Sequence, residues 1–112
     1  MTVEDRIEHR MQELREKARD LADASALRYH LDHARKPTLA TAMKNAERQG
    51  VTAVSGQERD AYASAEYDKW LTGSTEAVRN HERLRLEFKV IELRFEAWRT
   101  LEATKRAEMR LT

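Results

Sequence analysis

Apolar positions recur along this chain at spacings of four and three, the pattern of helices wound at about 100° per residue. The densest run lies between Leu84 and Leu101. Leu84, Phe88, Ile91, Phe95 and Trp98 form one stripe. Leu86, Val90, Leu93, Ala97 and Leu101 form a second, turned by roughly 200° from the first. A helix that covers one core shows a single apolar stripe of about 100° or a little more. Apolar over roughly twice that arc, this helix belongs between two neighbours. Glu87 and Arg94, one heptad apart, fall with Lys105 in the polar strip between the stripes. There they can act as register charges against a neighbour.

The same reading divides the rest of the chain. Val3, Ile7, Met11, Leu14, Ala18 and Leu21, continued by Ala24, Leu27, Leu31 and Ala34, predict a long amphipathic helix over about 3–35. Its stripe is narrow, as in a coiled-coil seam, and Thr2 with Asp5 offers a capping box at its start. Lys36-Pro37 predicts a stop, because the residue before proline is pushed out of the helical region. A short helix follows over about 38–49, ended by Gly50. Ser55 and Glu58 predict the capped start of a second short helix, over about 57–71. Thr72-Gly73-Ser74 reads as a turn, with Ser74 as the N-cap of a last long helix over about 75–111.

The expected fold is therefore all-α and a single helical domain over residues 1–112. Two long helices pack antiparallel through a coiled-coil-like seam, with two short helices between them. Composition agrees: charged residues make up 37% of the chain, with three glycines and one proline, as in helix-rich proteins. The net charge of +1, from 21 basic and 20 acidic residues, describes no bulk polycation. There is no cysteine, which removes disulfides, thiol catalysis and Cys-ligated metal. The charged start, Met1 to Arg10, lacks the apolar run of a signal peptide, and no window is apolar enough to span a bilayer. A cytoplasmic location without membrane contact is expected.

Candidate chemistry is sparse. His30 and His33 share a helical face, but a metal site wants a third ligand that the sequence does not place. The carboxylates are interleaved with Arg and Lys at ion-pair spacing, and no phosphate loop, nucleophile elbow or metalloprotease motif is present. No enzyme, metal, cofactor or small-molecule substrate is expected. The last helix carries nine basic residues against seven acidic, with Phe88, Phe95 and Trp98 among them. Aromatics interleaved with cations suit single-stranded nucleic acid, although the heptad stripe explains the aromatics as core. Lys105, Arg106 and Arg110 lie beyond the densest apolar part and are candidates for phosphate contact. Self-association is the best-supported activity: one stripe of the last helix can meet the Val3–Leu31 seam in the same chain, which leaves the other for the short helices or, as favoured, for another subunit.

Tyr67-Asp68-Lys69-Trp70-Leu71, followed by the Arg- and aromatic-bearing helix from Glu76 to Met109, resembles the small helical proteins of bacteriophages. Among these it is most similar to the UvsY-type recombination mediators. That resemblance implies a ring-like oligomer holding single-stranded DNA, with Arg79, Arg83, Lys89 and Arg99 as contacts. The expected function is a non-enzymatic, homo-oligomeric, phage-type accessory factor acting at single-stranded DNA or in recombination. Its location would then be the host cytoplasm. An inhibitor or adaptor that binds another protein, such as a host-defence complex, is the alternative, and a structural assembly component is a third.

Overall fold

The computed structural model describes residues 2–111 and contains three helices: α1 (Val3–Arg48), α2 (Val54–Tyr62) and α3 (Ala65–Leu111). The fold is all-α, with no strand among the described residues. Two long helices are separated along the chain by one short helix, where two short ones were expected. No described helix is long and apolar enough to cross a membrane.

The Thr2–Asp5 capping box forms. The Asp5 N–H donates to Thr2 Oγ1 and the Thr2 N–H to Asp5 Oδ2, both at 3.1 Å. The Thr2 side chain, and after it the Thr2 backbone, holds the Asp5 carboxyl below its usual range.

Pro37 does not end the helix as expected: α1 runs through it to Arg48. A proline inside a helix removes one ladder hydrogen bond and costs about 3 kcal/mol. Here the flanks offset that cost by packing, with Ala34, Thr38 and Leu39 half-buried and Ala42 and Ala46 buried. Thr38 also donates its hydroxyl to the Ala34 carbonyl at 2.7 Å, and Thr41 to the Pro37 carbonyl at 3.0 Å. Gly50 does act as the stop. At φ +102° it donates to Glu47 O, and Val51 donates to Ala46 O, closing a Schellman motif.

The remaining boundaries also move. Ser55 is not a cap, since α2 starts at Val54 behind Ala53, which makes no side-chain cap bond. What fixes this entry is Gln57, buried and donating Nε2 to the Val51 carbonyl at 2.9 Å. Ala63 and Ser64 cut the helix expected over 57–71. Ser64 Oγ accepts the Tyr67 N–H at 3.2 Å and donates to Ala61 O at 2.6 Å, so it caps α3. The expected turn at Thr72-Gly73-Ser74 is instead continuous helix, anchored on either side by half-buried Trp70 and buried Ala77. A lone mid-helix glycine costs only about 1 kcal/mol, too little to break a helix held at both flanks.

The chain forms two compact units, Met1–Ala22 with Glu82–Thr112, and Asp23–His81. Within the second, α1 and α3 run antiparallel. Arg28 pairs with His81 at 3.0 Å, while the Trp70 Nε1–H donates to the Leu31 carbonyl at 2.7 Å. Ala24, Ala42 and Ala46 of α1, Ala61 of α2 and Ala77 of α3 are buried within this unit, small enough for helices to approach closely. Tyr62, Tyr67 and Trp70 form an aromatic chain with ring separations of 5.1 and 5.4 Å. Arg35 reaches the Tyr62 hydroxyl, and Tyr67 first, then Tyr62, raises the Arg35 pKa. Within the first unit, Leu84 and Ile91 are the buried apolar side chains, and Lys17 Nζ meets Glu87 Oε2 at 2.9 Å.

Candidate interaction surface

The first unit treats the two stripes of α3 differently. Leu84 is 7% exposed and Ile91 8%, with Phe88, Phe95 and Trp98 half-buried beside them, so this stripe is the intramolecular one. Phe95 and Trp98 stand 6.0 Å apart, and Met11, Leu14 and Ala18 of α1 line a cleft with Phe88 and Phe95. The second stripe points away. Leu86 is 57% exposed, Val90 45%, Leu93 54% and Leu101 61%, with Ala97 exposed between them. Four large aliphatic side chains in one helical row are more than scattered surface apolarity.

The expected register charges separate as well. Glu87 accepts from Lys17 at 2.9 Å and from Arg83 at 2.9 Å, both in its own chain. Those bonds, Lys17 first, lower the Glu87 pKa. Arg94 is exposed and makes no ion pair among the described residues, and the same is true of Lys89 and Glu96.

The nucleic-acid candidates divide likewise. Arg79 pairs with Glu76, Arg83 with Glu87 and Lys105 with Glu102, all within one helix. Such contacts reduce the charge a phosphate would meet. Lys89, Arg99, Arg106 and Arg110 are exposed and not so engaged. Arg99 and Arg106 line an open groove with Trp98, Val3 and Ile7, together with the carboxylates of Glu96 and Glu102. Of the histidine pair, His33 turns its Nδ1 to the Tyr29 carbonyl at 2.9 Å and stacks 4.0 Å from the Tyr29 ring. Among the described residues no group of three His, Asp or Glu side chains is placed to hold a metal ion.

Sequence reasoning missed Lys17 and the Tyr62–Tyr67–Trp70 chain. Periodicity places Lys17 beside the α1 seam, but nothing local announces a partner seventy positions on. The aromatics were visible as residues, whereas their joint contact needed the Ala63–Ser64 break to be seen. No protein-family model, curated protein or solved structure matches this chain.

Proposed function

We propose that this chain is a non-enzymatic helical interaction protein that works as an oligomer through the outer face of α3. One observation carries the reading: Leu86, Val90, Leu93 and Leu101 stand exposed in a row on a helix whose opposite face is already packed. Leaving such a row in water forgoes burial worth about 25 cal/mol per Å², so a partner that covers it is favoured. The interior favours binding over catalysis, because the one buried polar side chain among the described residues, Gln57, is spent on the Val51 carbonyl.

A finer version, an accessory factor of phage type acting at single-stranded DNA, draws support from the groove in which Arg99 and Arg106 flank Trp98. A base can stack on an indole while guanidinium groups take the phosphates. The acidic Glu96 and Glu102 in the same groove weaken that attraction.

The test is the double variant Leu86→Gln, Leu93→Gln. Both side chains are more than half exposed, so helicity, and the thermal midpoint at low protein concentration, stay near the parent values. Self-association, measured by sedimentation, is lost. Association that survives the double change would contradict the outer-face reading. For the DNA version, labelled oligo-dT binding should fall steeply with salt and weaken in Arg99→Ala, Arg106→Ala. No binding at low salt would dismiss it.

A further inference from the structure

The charges that flank the outer stripe say what covers it. Numbered as a heptad, Leu86 and Leu93 take d positions, and Val90 and Ala97 take a positions. Glu87 and Arg94 then fall at e, and Lys89 and Glu96 at g. Building on the outer-face reading, we propose that the partner is a second copy of this chain, packed antiparallel about a twofold axis between Ile91 and Glu92. In that register Leu86 lies opposite Ala97, and Val90 opposite Leu93.

Antiparallel helices set e against e and g against g across the seam. Glu87 then faces Arg94, Lys89 faces Glu96, and symmetry makes each pair twice. Every one of these pairs joins opposite signs. A parallel arrangement instead sets g against the following e, bringing Lys89 to Arg94 and Glu82 to Glu87, both like-charged. Charge at the rim thus selects the antiparallel pair and rejects the parallel one.

A second observation points the same way. Arg85 and Lys89 are four residues apart on α3, as are Glu92 and Glu96, and like charges at that spacing weaken a helix. Arg85 is relieved by its pair with Glu82 at 2.8 Å, which leaves Lys89 and Glu96 as the exposed ends of these two like-charged steps. A second copy running the other way offsets the remaining cost, because its Glu96 lies on Lys89. Glu87 is already shared by Lys17 and Arg83, so the unpaired Lys89 and Glu96 carry most of the orientation. The a and d positions from Leu86 to Ala97 span about 16 Å, with Leu101 beyond them at e, a short seam that gives a reversible dimer rather than an obligate one.

Sedimentation equilibrium of the full chain and three charge variants tests this. The parent should move from 13.1 kDa toward twice that mass with rising concentration. Lys89→Glu alone, or Glu96→Lys alone, creates two repulsive pairs and should weaken association about tenfold. Combining the two should restore it. Neither change touches a described partner, both positions are exposed, and the intrahelical pair each improves at i,i+4 balances the one it worsens at i,i+3, so the fold is kept. A parent that stays monomeric at high micromolar concentration overturns the proposal. Single reversals without effect, or a double reversal that does not rescue, overturn it too. If association is lost in Leu86→Gln, Leu93→Gln but ignores these reversals, the antiparallel pair is wrong and the outer-face reading stands. If association survives the Leu86 and Leu93 changes, both are wrong.

Discussion

The Trp70 indole N–H donates to the backbone carbonyl of Leu31 at 2.7 Å, pinning α3 to α1 within the unit formed by Asp23–His81. This side chain combines a half-buried ring with a directional bond. Trp70→Phe keeps most of the apolar area and loses the donor, and should cost about 1 kcal/mol in urea denaturation. Trp70→Ala, which also removes the ring, should cost about 3 kcal/mol or more.

The two stripes of α3 predict opposite responses to truncation. Ile91→Ala should lower stability by about 2–4 kcal/mol, because Ile91 is only 8% exposed. Leu93→Ala, made on the outer face, should change the stability of the monomer by no more than about 0.5 kcal/mol. Denaturation at low protein concentration reads both without a contribution from self-association.

Acid should loosen the first unit through Glu87. Lys17, and then Arg83, hold its carboxyl below the usual glutamate range. A depressed pKa contributes stability above the unfolded value, about 4.3, that is lost as pH falls through the folded value. Glu87→Gln should therefore show a smaller stability difference between pH 7 and pH 3 than the parent. An unchanged difference would mean that the Lys17 contact contributes nothing.

Glycine substitutions distinguish a stop from an interruption. Gly50 sits at φ +102°, where a side chain is strained, so Gly50→Ala should destabilise by about 1 kcal/mol. At Gly73 a Cβ meets nothing within 4 Å, and the backbone is helical, so Gly73→Ala should stabilise by about 0.5–1 kcal/mol. A loss at Gly73 would restore the turn that its sequence suggests.

These contrasts mark what the sequence could disclose. Heptad spacing placed both long helices and both stripes of α3, since burial follows periodicity. Gly50 was legible because a positive φ demands its residue type. Lys36-Pro37 and Thr72-Gly73-Ser74 misled because their penalties are local. Packing of Ala42 and Ala46 on one side, and of Trp70 and Ala77 on the other, outweighs them. Ser55 does not cap α2 because the Gln57 bond to Val51 and the close approach at Gly56, where a Cβ would lie 3.0 Å from Val51 Cγ1, draw the α2 entry forward to Ala53, while Ser64 takes at α3 the capping role expected of Ser74. Which stripe faces inward was not legible, because both are equally apolar. Only the position of α1 over Leu84 and Ile91 decides it.

The chain has no cysteine, so a single introduced one carries a unique spin label, and the distance between labels on two copies tests the antiparallel pair directly. Arg99→Cys and Arg106→Cys place labels at exposed sites on one helix. With a rise of 1.5 Å per residue, the axial separation in the proposed register is about 22 Å at position 99 and about 43 Å at position 106. The account predicts that the measured distance grows by about 20 Å between the two sites. Equal distances at both sites, as a parallel pair would give, or no intermolecular distance at all, would contradict it.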